Sequence, residues 1–243
     1  MTPRKPAPPQ AGKIILVVDV GGSNIKLMRS DSAERVKFPS GPLFTPRQLM
    51  AGIQKHAGDW QYDSVSLGLP IPIVRDQVAR EPNNLGRGWM KFDFPGAFGK
   101  PCKLINDAAM QALGSYEGGR MLFIGLGTGL GSAMVLDDVV IPLELGELSY
   151  SPQRTFEDML GQKGRKRLGP KKWEEALEHI VAILQSAFVT DYIVIGGGNA
   201  RRVERLPKGT RLGDNRNAFQ GGLRLWGEGP GRAESKSRIV VIR

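Results

Sequence analysis

Cysteine occurs once in this sequence, at Cys102, and histidine only twice, at His56 and His179. A single thiol excludes an intrachain disulfide framework, and so few soft ligands exclude a structural zinc site. No apolar run approaches the roughly 20 residues that a membrane-spanning helix needs. The basic, Pro-rich start (residues 1–12) leads into a short apolar run that ends at Asp19, which does not read as a secretory leader; a cytoplasmic protein is expected. Aromatic residues make up only 7% of the chain, and no aromatic-interleaved basic motif is seen. There is no zinc-finger spacing and no evident helix-turn-helix. The net charge of +10 therefore does not point to nucleic acid. It reads first as a solvated basic surface and next as attraction for a phosphorylated or polyphosphate ligand. The excess charge gathers in the first residues, in 163–172 and in 201–243.

What is present is a set of apolar strands ending in glycine-rich turns. Residues 14–20 form a short β-branched run, the pattern of a buried strand. Asp19 sits at its end, and Gly21-Gly22-Ser23 follows as a turn whose backbone can approach an anion closely. By itself this is equally well a plain hairpin leading to a second strand at 25–28. The pattern returns at 121–136, where an apolar strand runs into Gly127-Thr128-Gly129 and out into another strand. Two strand–turn–strand units of this kind predict a duplicated architecture. A third apolar strand, 191–195, runs into Gly196-Gly197-Gly198.

Between these units the punctuation is readable. Residues 34–39 alternate like a strand. Thr45-Pro46-Arg47-Gln48 has a hydroxyl N-cap, proline at the first helical position and glutamine at the third, so a helix begins there with Leu49 and Ile53 on its apolar face. Residues 64–69 are a strand that leaves into a Pro-rich loop. A strand at 103–107 runs directly into a helix over 108–116, capped by Asn106 or Asp107. Thr155 to Asp158 caps a short helix that Gly161 or Gly164 ends. The clearest helix, 171–189, enters through Pro170 and carries Trp173, Leu177, Ile180, Val181, Leu184 and Phe188 at helical spacing as core residues. A last helix is expected over 218–226, followed by a Gly-rich basic tail over 227–243 that reads as mobile over 227–237 and is open to an edge strand at 239–242.

Taken in order, Asp19-Val20-Gly21-Gly22-Ser23, Asn106-Asp107, Gly127-Thr128-Gly129 and Gly196-Gly197-Gly198 resemble the ROK family (repressors, open reading frames, kinases), and within it the short polyphosphate- or ATP-dependent glucokinases. The resemblance spans about 14–226. It implies an α/β fold of two actin-like (ribonuclease H-like) lobes with a cleft between them. The expected division is a Pro-rich tail (1–12), an N-terminal lobe (13–113), a C-terminal lobe (114–226) whose last helix returns to the first lobe, and the basic tail (227–243). It further implies a hexokinase or glucokinase that transfers a phosphoryl group from polyphosphate or Mg-ATP to the 6-hydroxyl of a hexose, most readily glucose.

The same resemblance assigns roles. Asp107 matches the catalytic base and Asp19 the aspartate near Mg²⁺. Gly21, Gly22, Ser23 and Lys26 on one side, and Gly127, Thr128 and Gly129 on the other, match the grip on the donor phosphates. Gly196, Gly197 and Gly198 match the adenosine-side turn, although such a turn also serves merely to let a helix pack closely. Asn84, Asn106, Asp107, Glu144 and Glu147 match the sugar-binding set. Glu147 stands where the family has histidine, so an acceptor-only carboxylate replaces a ring that can also donate. That departure opens the reading to another acceptor, such as an amino sugar. The alternative outside catalysis is a ROK-type sugar sensor; those carry a helix-turn-helix domain ahead of the first glycine turn, and only a short Pro-rich stretch precedes it here. Lys163, Arg165, Lys166 and Arg167 are candidates for a polyanion track. Homodimers are common in the family, but the sequence shows no seam.

Overall fold

The computed structural model describes residues 12–214, 216–227 and 239–242. Most of the two expected tails, residues 1–11 and 228–238, lies outside them. Strand β1 (Ile15–Val20) is buried on both faces. Its period of two sends Leu16, Val18 and Val20 to one core and Ile15 and Val17 to another, so Asp19 continues the face of Ile15 and Val17. An antiparallel hairpin joins β1 to β2 (Asn24–Arg29), with Asp19 opposite Lys26. Strand β3 (Arg35–Pro39) pairs next, with Lys37 opposite Lys26.

Helix α1 (Pro46–Ala57) starts in the capping box read from the sequence, with Thr45 and Gln48 satisfying each other's backbone. Strand β4 (Ser64–Leu69) follows, then a small hairpin of β5 (Ile73–Val74) and β6 (Gln77–Val78). The short α2 (Phe94–Phe98) precedes β7 (Cys102–Asn106), which runs straight into α3 (Asp107–Ser115). The first sheet is ordered β3-β2-β1-β4-β7.

Strands β8 (Met121–Leu126), β9 (Leu130–Leu136) and β10 (Val139–Leu143) then form an antiparallel meander. A ribbon of β11 (Ser149–Ser151) and β12 (Arg154–Thr155) leads to α4 (Phe156–Leu160), capped by Thr155 and Asp158 as its sequence predicts. Helix α5 (Gln162–Phe188) is longer than the periodicity indicates. Gly169 turns through a positive φ of 74° ahead of Pro170, which breaks the helix in two. The stretch before the break is so basic that it shows no apolar period. Beyond the break Trp173, Leu177, Ile180, Val181 and Leu184 are buried as predicted. Strands β13 (Tyr192–Gly196) and β14 (Thr210–Leu212), helix α6 (Asn217–Arg224) and strand β15 (Val240–Val241) complete the described chain.

The second sheet is ordered β14-β13-β8-β9-β10-β15. Its centre repeats the first: β8 pairs antiparallel with β9 and parallel with β13, as β1 pairs with β2 and β4. The duplication read from the two glycine turns is therefore a duplication of topology. Helices α3 and α6 share one core with the inner faces of both sheets. Gly222 of α6 packs so closely on Val17 that an added Cβ would stand 2.5 Å from its side chain. The Ser66 hydroxyl donates to Gly222 O at 2.6 Å and accepts from Trp226 Nε1 at 2.9 Å, which fastens α6 to the first sheet.

Candidate active site

The two glycine turns face each other. A Cβ on Gly22 would lie 3.5 Å from Thr128 Oγ1 and 3.7 Å from Asn84 Cβ, which brings three distant segments to one point. Around that point opens a cleft of about 670 Å³, within the range that holds a sugar and a donor phosphate group. No histidine lines it. His56 stacks on Phe38 and His179 meets Tyr150 edge-on, both exposed on helices away from the cleft lining.

Asp19 reaches this cleft because β1 carries it two residues beyond Val17 on the same face. It is 3% exposed, and Lys26 Nζ donates to its Oδ2 at 2.8 Å. The first turn is shaped by Gly21 N donating to Asn24 O at 3.0 Å and by the Ser40 hydroxyl donating to Gly21 O at 2.6 Å. Ser23 and Gly22 line the cleft beside them.

The second turn is held from three directions. Gln162 N, at the start of α5, donates to Gly127 O at 3.1 Å. Asn199 Nδ2 donates to Gly127 O, also at 3.1 Å. Glu157 Oε2 accepts from Leu130 N at 3.0 Å, so that carboxylate closes the turn behind Gly129. A turn tied this way is preorganised, which is what transition-state stabilisation requires.

Asp107 opens α3. Asn106 provides the cap: its Oδ1 accepts from Ala109 N at 3.1 Å, and its Nδ2 donates to Ile71 O at 3.4 Å. Between the alternatives read from sequence, Asn106 is thus the cap, and Asp107 is left to face the cleft. Asp107 Oδ1 accepts from Ala108 N at 2.8 Å. Burial pushes the Asp107 carboxyl up to about 7, and the Asp19 charge adds to the rise; the Ala108 bond and Lys26 oppose it. A carboxyl poised near neutrality in a cleft is a candidate proton-transfer group.

The opposite wall carries Glu144 and Glu147 around a single turn of 3-10 helix, Leu145–Glu147. The buried Ser132 hydroxyl sets this turn, donating to Leu143 O at 2.9 Å and accepting from Leu145 N at 3.0 Å. Arg80 Nη2 lies 3.4 Å from Glu144 Oε2 and links the two halves of the chain across the cleft. Burial raises the Glu144 carboxyl, Arg80 opposes that, and the charges of Glu147 and Glu157 add to the rise.

No family model matches the chain. In sequence it is 25% identical over 209 residues to a polyphosphate glucokinase of Mycobacterium tuberculosis, covering 77% of this chain and 78% of that one. In structure it superposes on an inorganic polyphosphate/ATP-glucomannokinase from Arthrobacter sp. strain KM with a TM-score of 0.75, at 23% identity, over 86% of this chain and 96% of that one. A ROK family glucokinase from Streptomyces griseus, solved with glucose and AMPPNP, gives a TM-score of 0.66 at 15% identity over 86% and 96% of the two chains. The chain has the fold of the ROK sugar kinases. It is related in sequence to their polyphosphate glucokinases.

Within this ROK fold nearly every residue singled out from the sequence lines one cleft, from Asp19 and Lys26 to Glu144, Glu147, Gly197 and Gly198. Gly196 does not line it. It ends β13, where an added Cβ would stand 2.5 Å from Phe123, so its glycine serves packing. The basic stretch 163–167 also stays outside the cleft lining. Arg167 donates to Asp158 O at 2.7 Å and Arg165 lies over Trp173, so two of its four cations are engaged locally. Glu157, Ser132, Arg80, Arg35, Lys37, Arg201 and Arg202 line the cleft or set its shape, and the sequence reading missed all of them in that role. Glu157 had a visible signal: it sits in the capping segment of α4, and a first-turn acid is usually read only as helix stabilisation.

Proposed function

We propose that this protein is a sugar kinase that transfers a phosphoryl group from polyphosphate or ATP to the 6-hydroxyl of a hexose, with glucose as the reference acceptor. The observation that carries the reading is Asp107: a carboxyl at the start of α3, raised to about 7, that lines the same cleft as the two facing glycine turns. Phosphoryl transfer asks little covalent chemistry of a protein. It needs an oriented acceptor, neutralised donor phosphates and exclusion of water. Asp107 orients the acceptor hydroxyl and takes its proton as the bond to phosphorus forms. The turns at Gly21–Ser23 and Gly127–Gly129 bracket the donor phosphates from the two sheets, with Lys26 beside them. Asn84, Asn106, Glu144 and Glu147 line the acceptor's side.

A kinase of this type works on a metal-bound donor. Asp19 fits Mg²⁺: its carboxylate is buried at the cleft, and only one of its oxygens is taken by Lys26. Mg²⁺ is commonly held by one or two carboxylates with phosphates and water completing the shell. When bound there, the ion neutralises charge on the donor phosphates.

A coupled assay of a sugar panel against Mg-ATP and against polyphosphate tests this function. Phosphorylation of glucose or a related hexose is expected. No turnover with any pairing would instead favour a sugar-binding sensor on the same fold.

A further inference from the structure

Asn83 and Asn84 line the cleft from a stretch, residues 79–93, that has no strand or helix of its own. Both are exposed, and among the described residues no hydrogen bond fixes either side chain. Their place is therefore set by the backbone that carries them. A loop backbone without ladder partners must find other acceptors for its amides.

Here three amides find one carboxylate. Glu81 Oε2 accepts from Gly88 N at 2.9 Å and from Trp89 N at 3.1 Å, and Glu81 Oε1 accepts from Met90 N at 3.3 Å. Consecutive amides turned to one point make an anion-binding nest, and this chain fills the nest with its own side chain. Gly88 shapes it with a φ of 100°. An added Cβ there would meet nothing within 4 Å, so a substitution at Gly88 disturbs backbone conformation alone.

The clamp closes between firm anchors. Trp89 is fully buried, beside Phe94. Leu85 is buried as well, and Gly86 N donates to Phe44 O at 2.9 Å. Asn83 and Asn84 are thus held between the Glu81 clamp and the buried Leu85. Glu81 itself stays outside the cleft lining, while its neighbour Arg80 reaches across to Glu144.

We infer that Glu81 is a positioning residue for the acceptor: its hold on the amides of Gly88, Trp89 and Met90 fixes the loop that presents Asn83 and Asn84 to the sugar. The inference rests on the kinase reading for what the two asparagines bind. Because Glu81 acts through this loop, it governs acceptor affinity and leaves the donor and the transfer step alone.

The experiment uses the full chain. The variants are Glu81→Ala, Glu81→Gln, which keeps one accepting oxygen, and Gly88→Ala, which disturbs the same nest from the amide side. Asp63→Ala is the control, since Asp63 accepts from Ile14 N at 2.7 Å but lies outside the cleft lining. Amide hydrogen exchange, read by mass spectrometry, should quicken over residues 81–90 in Glu81→Ala and Gly88→Ala and stay unchanged over the turn at 127–129. In steady-state kinetics these two variants should raise sugar KM about tenfold and move donor KM and kcat by no more than about twofold. Glu81→Gln should fall between them and the unaltered protein. In a background of Asn83→Ala with Asn84→Ala, adding Glu81→Ala should raise sugar KM little further, because both changes remove the same contact.

Unchanged exchange over the loop, donor KM rising in step with sugar KM, full additivity in the asparagine background, or equal damage from Asp63→Ala would each overturn the assignment and leave the kinase reading intact. If the unaltered protein phosphorylates no sugar, the kinase reading fails. The sugar dissociation constant, measured by calorimetry, then takes the place of KM, and an absence of sugar binding overturns the acceptor role of Glu81 as well.

Discussion

Lys26 Nζ sits 2.8 Å from Asp19 Oδ2 because the two residues are register partners across the first hairpin. The hairpin thus places a cation and a buried carboxylate together in the cleft, at the end proposed to hold the donor. Lys26→Ala would leave the Asp19 charge buried and unpaired, a situation that costs about 3–5 kcal/mol when the site is fully buried; with Lys26 itself half-exposed, a smaller loss is expected. Thermal unfolding should show a lower Tm, and donor KM should rise more than sugar KM. Equal effects on both KM values would argue against a donor-side role for Lys26.

Asp107→Asn keeps the size of the side chain and its ability to accept from Ala108 N, but it cannot take a proton. Turnover should fall by about 10²–10⁴-fold, while sugar affinity measured by calorimetry stays within a few-fold. A variant retaining near wild-type turnover would remove Asp107 from the chemistry.

The same residue sets a pH profile. As the proposed base Asp107 can act only when ionised, and burial pushes its carboxyl up to about 7. Activity should therefore rise with pH through about 7 and level off above it. Because the Asp19 charge contributes to that elevation, NMR titration of Asp19→Asn should show Asp107 titrating at lower pH. No movement would mean that burial alone holds it up.

Stability should respond in the opposite sense. The folded state binds the Asp107 proton more tightly than the unfolded chain, whose aspartates titrate near 3.8. The stability attached to this group is therefore full at low pH and is lost as pH rises from about 4 to about 7. Asp107→Asn removes the penalty. At pH 8 the variant should be more stable than the unaltered protein, by on the order of a few kcal/mol at most, and the difference should vanish near pH 4. Chemical denaturation at the two pH values measures it.

The buried Ser132 hydroxyl is committed to Leu143 O and Leu145 N and so sets the turn carrying Glu144 and Glu147. Ser132→Ala should raise sugar KM several-fold, leave donor KM nearly unmoved and lower stability by about 1–3 kcal/mol. Comparable changes in both KM values would show a general loosening instead.

The sequence by itself determined the strands next to the glycine turns, the caps at Thr45 and Thr155 and the three turns themselves, because those depend on short-range rules; it left β5, β6, β10 to β12, β14 and α2 unread and β15 open. A β-branched run buries on both faces, a Thr with Gln three residues later closes a helix start, and a glycine tip admits close approach. It also determined that the topology is doubled, since the two strand–turn–strand units are visible in the residues themselves. Chain order carried most of the site, for Asp19, Asp107 and the turn glycines are each strand or helix ends, where side chains are delivered to a cleft. Only the tertiary structure decided what those ends meet. Asn106 and Asp107 are equal candidates for a cap until β7 and α3 are placed, and then Ile71 O and Ala109 N claim Asn106 and leave Asp107 to the cleft. Gly196 and Gly197 look alike in sequence, but Phe123 fills the space beside one while the other turns into the cleft. The cations divide the same way. The densest basic run, 163–167, stays outside the cleft lining, whereas scattered residues on β3 and after β13 converge on the cleft, because register and sheet order, not local charge density, set which side chains share a space.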